Sequence, residues 1–150
     1  MSEPLPDDRL DRIRFEPLDP PDPPRGMVAV HGAEDAPAVA GLLGFQDWPH
    51  LRYWADALHD ATGGAYDEVG FAYDTDERWP EDEDFTGVRV FVPWDEAVVS
   101  RAAFERLMAR FYAAIADAAT RSGDPAVDEP WWPEITTAAR ALADRAGRDG

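Results

Sequence analysis

The sequence predicts an α+β fold, a small antiparallel meander sheet covered by about three helices. Three observations predict it. Val69, Phe71 and Tyr73, and then Val88, Val90 and Val92, alternate with other residues in the two-residue period of half-buried strands. Leu51, Trp54, Ala55 and Leu58 fall at i, i+3, i+4 and i+7, the spacing of one buried helical face. Phe104, Leu107, Met108, Phe111, Ile115 and Ala118 repeat that spacing over a longer stretch.

Taken in order, residues 1–26 hold seven of the 14 prolines, among them the run DPPDPP at 19–24. Proline removes a backbone donor and restricts the residue before it, so this stretch reads as an extended arm or a disordered tail. Met27 is an alternative start, and residues 27–150 read as a single α+β domain. Within the arm, residues 12–15 alternate as a short edge strand would. Residues 27–30 form another short strand and 36–43 a short helix. Asp47 then caps a helix that carries Pro49 in its first turn and ends at Gly63 and Gly64. Strand 69–73, an acidic loop at 74–84, strand 88–92, a turn at 93–96 and strand 97–99 follow in the order of a meander. Ser100 caps the long helix, which Gly123 and Pro125 stop. A last helix at 133–146 turns Ile135, Ala138, Ala139 and Leu142 inward. No internal repeat is visible.

Composition narrows the function. A hydrophobic content of 45% supports a core despite a formal charge of −17. There is no cysteine, hence no disulfide framework, thiolate zinc site or thiol nucleophile. All 14 basic residues are arginine, which excludes a P-loop lysine and Schiff-base chemistry. That bias, with abundant alanine, glycine and proline, is the mark of a GC-rich genome. No signal peptide or apolar run of membrane-spanning length is present, so the expected location is the cytoplasm. The acidic balance disfavours direct binding to nucleic acid.

Catalytic and metal patterns are not met. His31, His50 and His59 lie outside metal-ligand spacing and read as exposed or partly packed. Ser2, Ser100 and Ser122 lie outside G-x-S-x-G. In the 74–84 loop, Trp79 stands where an EF-hand needs glycine, and Phe85 where it needs the bidentate glutamate. The expectation is a protein that is not an enzyme, with no cofactor and no metal.

The charge is sorted along the chain. Residues 74–84 hold seven acids and one arginine, whereas 101–123 carry a net charge of +2. Salt adaptation also makes proteins acidic, but it spreads acids over every face. Here acids accompany tryptophans in proline-containing connections. Trp79 stands among Asp74, Asp76, Glu77, Glu81, Asp82, Glu83 and Asp84. Trp94 precedes Asp95 and Glu96, and Trp131 and Trp132 precede Glu134. Tryptophan anchors interfaces, and rim carboxylates steer a basic partner. These 14 residues are the candidate partner-binding set, and the expected partner is a basic protein.

One stretch adds a resemblance. VGFAY at 69–73, an acidic spacer, Phe85, Gly87 and Val88 entering a strand, and then Val98, Val99 and Ser100 precede a helix that opens with Phe104 and Glu105. Over residues 69–112 this resembles the small immunity proteins of bacterial contact-dependent inhibition and polymorphic toxin systems, of the ribonuclease-toxin immunity type. The resemblance implies a stoichiometric inhibitor that neutralises a basic toxin domain, a nuclease in the first instance. It carries over no functional residue. Two other readings suit a small acidic α+β protein: a secretion or effector chaperone, and a nucleic-acid mimic that blocks a DNA- or RNA-binding protein.

Overall fold

Alternation and helical spacing translate into the elements of a computed structural model that describes residues 4–22, 26–77 and 84–149. In chain order they are α1 (Asp7–Asp11), β1 (Arg14–Asp22), β2 (Gly26–His31), α2 (Pro37–Leu43), α3 (Trp48–His59), β3 (Gly64–Tyr66), β4 (Val69–Tyr73), β5 (Val88–Val92), β6 (Asp95–Val99), α4 (Arg101–Ser122), a 3-10 turn (Pro125–Asp128) and α5 (Trp132–Asp149). The fold is α+β. Strands β3–β4–β5–β6 form the antiparallel meander in that spatial order, and β1 and β2 form a separate hairpin.

One face of the meander carries Val69, Phe71 and Tyr73 with Val88, Val90 and Val92, all buried. Helices α2, α3 and α4 cover it. The Phe71 ring lies 6.4 Å from Trp54 of α3 and 5.2 Å from Phe104 of α4. Helix α4 is the axis of the core and also packs on α1, on both strands of the hairpin and on α5. Its ends follow the sequence: Ser100 accepts from the Ala103 amide, and Gly123 closes the helix at φ 69°.

Several local readings need correction. Helix α3 ends at His59, four residues before Gly63, with Ala61 in the left-handed region. Gly64 instead opens β3, a strand absent from the sequence reading. It lies so close to β4 that a side chain at Gly70 would collide with the Gly64 carbonyl. The β5–β6 turn has only two residues, Pro93 and Trp94, because Val92 already pairs with Asp95. Helix α5 runs on through Gly147, and Ala139 is only half-buried.

The proline-rich stretch is not a free arm in its described part. Residues 7–11 coil into α1 instead of extending, and Arg14–Asp22 form a strand paired with β2. Val28 gives both its backbone groups to the Gln46 side chain, at 3.0 Å each, on the side away from β1. Pro17 stands opposite Val28, where the ladder needs no amide proton, so proline fits there. Leu10 and Ile13 are completely buried in the core, and the Leu5 amide donates to the Val98 carbonyl at 2.8 Å. Arginines of α4 hold this segment. Arg106 meets both carboxylate oxygens of Asp11, at 3.2 and 3.1 Å, and Arg110 donates to the carbonyls of Leu10 and Ile13.

A buried carboxylate joins the remaining elements. Glu105 of α4 is 1% exposed. Its Oε2 accepts from the Tyr73 hydroxyl of β4 at 3.0 Å and from Arg145 Nη2 and Nε of α5 at 2.6 and 2.9 Å. Arg145 also donates to the His59 and Leu58 carbonyls that end α3. Burial, followed by the Glu105 charge, pushes the Tyr73 phenol well above its usual range. Burial works to lower the Arg145 pKa, but hydrogen bonding and attraction to Glu105 outweigh it and raise the value.

Two outcomes follow from this packing. Arg145→Ala leaves Glu105 buried without its cation and should cost about 3–5 kcal/mol in urea denaturation, whereas Arg121→Ala, from an exposed pair with Asp117, should cost about 0.5 kcal/mol or less. A chain begun at Met27 lacks Leu10, Ile13 and β1. It should lose the cooperative urea transition, since each such buried apolar side chain contributes about 1.5–3 kcal/mol. An unchanged transition would contradict the docking of residues 4–22.

Candidate functional site

Two helix N-termini place the principal aromatic cluster. Asp47 caps α3 by accepting the His50 amide at 2.9 Å, which leaves Trp48 at the head of the helix. The 3-10 turn reverses the chain after α4, and the Trp132 amide donates to the Glu129 carbonyl as α5 begins. Helices α3 and α5 pack together, and their first turns meet. Trp48 lies 5.5 Å from Trp131 and 5.6 Å from Trp132, ring centre to ring centre. The Arg52 guanidinium sits 4.6 Å above the Trp131 ring, with its Nε 3.6 Å from Glu134.

Trp48, Arg52, Trp131 and Glu134 line a cleft of about 430 Å³, together with Pro49, Tyr53, Asp56 and Tyr66. It continues past Tyr53 and Asp56 into a hollow of about 280 Å³ beside Asp60, Thr62 and Gly63. Tyr53 is 50% exposed, and its ring lies 5.5 Å from that of Tyr66 on β3. Next to Tyr66, Asp67 and Glu68 form the two-residue β3–β4 turn, both with positive φ. Such turns favour asparagine and glycine, so two acids there carry backbone strain.

His50 backs this region and departs from the expected exposed or partly packed histidine. It is buried among Phe45, Trp54 and Tyr66. Its Nδ1 lies 2.6 and 2.9 Å from the two Asp47 oxygens, and its Nε2 3.7 Å from Asp67. It therefore links the α3 cap to β3 through its ring contact with Tyr66, while Nε2 is buried without a hydrogen-bond partner among the described residues.

The sequence-predicted site residues fall into three groups. Trp131 and Glu134 line the cleft, and Trp132 packs against Trp48 and Trp131 beside it. Trp94, 65% exposed, rests over α2, where a side chain on Gly41 would come within 3.0 Å of its ring. Asp95 is half-buried beside it and Glu96 is exposed. The third group lies at the 74–84 loop. Asp74 accepts from the Gly87 amide at 2.8 Å and from Arg101 at 3.1 Å. Asp76 accepts from the Gly63 and Tyr73 amides at 2.9 and 2.8 Å. These two carboxylates knit the base of the loop to its neighbours. Glu77 and Asp84 are exposed, and Trp79, Glu81, Asp82 and Glu83 lie outside the described residues. No ring contact, hydrogen bond or ion pair joins the three groups to one another among the described residues.

Trp48, Arg52, Tyr53, Asp56 and Tyr66 were not singled out from sequence. The readable signal was a tyrosine on α3 opposite the Leu51, Trp54, Ala55 and Leu58 face. Among the described residues, no group of His, Asp and Glu is placed to hold a metal ion, and no helix is long and apolar enough to cross a membrane. No family model, curated protein or solved structure matches the chain.

The division between knitting and free acids is measurable. Asp76→Ala removes the acceptor of two backbone amides and should cost about 1–3 kcal/mol, whereas Glu77→Ala should stay within about 0.5 kcal/mol of the parent, both read by urea denaturation.

Proposed function

We propose that this protein is an immunity protein, a non-enzymatic, stoichiometric inhibitor that binds and neutralises a basic toxin domain, a nuclease in the first instance, in the cytoplasm. The observation that carries this reading is the placement of its exposed aromatic residues. Tyr53 and Trp94 are the exposed large hydrophobic side chains among the described residues, and both stand beside carboxylates. Asp56 and Asp60 flank Tyr53, and Asp95 and Glu96 follow Trp94. An aromatic anchor inside an acidic rim is the arrangement that gives a basic partner both contact area and electrostatic steering. A net charge of −17 extends that steering, and association toward ~10⁸–10⁹ M⁻¹s⁻¹ at low salt suits an inhibitor that must capture a toxin before it acts. The resemblance over residues 69–112 supports the same class.

A secretion or effector chaperone is the second reading. It is favoured by a more enclosed, largely apolar cleft of about 610 Å³ beside Met27, Phe45, Trp48 and Pro49. A chaperone keeps an unfolded partner soluble, whereas an inhibitor blocks a folded one.

Co-expression with the product of the gene immediately upstream tests the proposal. The expected outcome is a toxic neighbour whose growth arrest this protein relieves, and whose purified activity is titrated to zero at one equivalent. Undiminished toxin activity at excess inhibitor would refute it. A rise in the neighbour's solubility without loss of its activity would favour the chaperone.

A further inference from the structure

The α3–α5 cleft is built in two halves from the same chemical kit, and among the described residues only one half holds a cation. In the first half, the Arg52 guanidinium stacks on Trp131 beside Glu134. In the second half, Tyr53 and Tyr66 present two rings 5.5 Å apart, tilted by 49°, beside the exposed carboxylate of Asp56. Asp56 has no ion-pair partner among the described residues, and no cation lies over either tyrosine ring there. The surroundings add negative charge. Asp60 lines the continuing hollow with only His59 against its carboxylate among the described residues, and Asp67 and Glu68 follow Tyr66 on the adjoining turn. Arg52 is offset by Glu134.

We infer that the Tyr53–Tyr66–Asp56 half of the cleft is the seat of an arginine side chain from a basic protein partner. The inference rests on the inhibitor reading for the partner being a protein. A guanidinium fits better than an ammonium because it is flat, stacks on aromatic faces and can give two hydrogen bonds to one carboxylate. The groove shape selects a chain segment over a free small cation. The groove follows α3 from Trp48 past Asp56 to Asp60, and a 12-residue helix is about 18 Å long. That length accepts roughly five extended residues. Charge complementarity selects a basic segment, with one arginine stacked on the exposed Tyr53 ring, within reach of Asp56, and its neighbours facing Asp60 and Asp67.

The test uses tetra-arginine and tetra-lysine peptides as probes for the full chain. Affinities come from calorimetry at fixed salt, and ring contacts from the NMR shifts of Tyr53 and Tyr66. The expected result is arginine binding about tenfold tighter than lysine, with both tyrosine rings shifting. Tyr53→Ala should bring arginine down to the lysine level, and Asp56→Asn should weaken it about fivefold. Asp144→Asn, at an exposed acid on α5, should change it less than twofold. Both tested side chains are exposed, so circular dichroism should show each variant folded. Equal affinity for the two peptides, or an arginine preference that survives Tyr53→Ala, overturns the inference. So does a dimer of the parent chain that Tyr53→Ala dissolves, since the seat would then hold an arginine of a second copy. If Tyr53→Ala neutralises the toxin as well as the parent does, the seat is wrong and the inhibitor reading stands. If the peptides behave as expected and no toxin is neutralised, the inhibitor reading fails alone.

Discussion

A carboxylate buried in the second turn of α4 is the constraint on which the arrangement of the helices depends. Glu105 cannot remain charged in the core without partners, because an unpaired buried charge costs several kcal/mol. Its partners come from two other elements, Tyr73 on β4 and Arg145 on α5, and Arg145 in turn closes the carbonyl end of α3. Meander, α3, α4 and α5 are thereby held at one point. Tyr112 adds a second tie by donating to the Leu51 carbonyl of α3 at 2.6 Å. With α3 fixed against α5 at this end, Trp48 meets Trp131 and Trp132 at the other. The cleft beside Tyr53 is therefore preorganised, which lowers the entropic cost of seating a partner.

The acidity of the chain resolves into two populations. Some acids are part of the scaffold. Asp47 and Asp124 cap helices, Asp74 and Asp76 hold backbone amides, and Asp11 binds Arg106. The positive charge of α4 is largely spent on this internal complementarity. Arg101, Arg106 and Arg110 reach the 74–84 loop and the N-terminal segment. Asp56 beside Tyr53, and Asp95 and Glu96 beside Trp94, like Glu77 and Asp144, make no ion pair among the described residues. Clustering of charge in connections therefore marks architecture in part, and the hydrogen-bond and ion-pair partners identify which acids serve it.

Legibility followed the physics of each element. The α4 stripe, its two caps, the Asp47 cap and strands β4 and β5 are local patterns and could be read directly. Strand β3 has three residues and no alternation to display, so only its pairing with β4 defines it. The N-terminal segment looked like a free arm because its prolines forbid most ladders. Gln46, remote in sequence, fills the free edge of β2 opposite Pro17. Glu105 did leave a trace, since it shares a helical face with Met108 and Tyr112 at i+3 and i+7. Its cation, however, is 40 residues away. The cleft was half legible. Trp131, Trp132 and Glu134 stood out as an acid–tryptophan cluster, but Tyr53, Asp56 and Tyr66 belong to two elements that only the tertiary packing brings together.

Under the proposed function a basic partner lands on a preformed cleft between α3 and α5, which the Glu105 joint holds in place. Hydrogen–deuterium exchange with and without saturating tetra-arginine peptide tests it most directly. Slowed exchange is expected at residues 52–56 and 64–68, with the exchange of 74–84 unchanged. Protection confined to 74–84, with 52–68 unaffected, would contradict it and return recognition to the acidic loop.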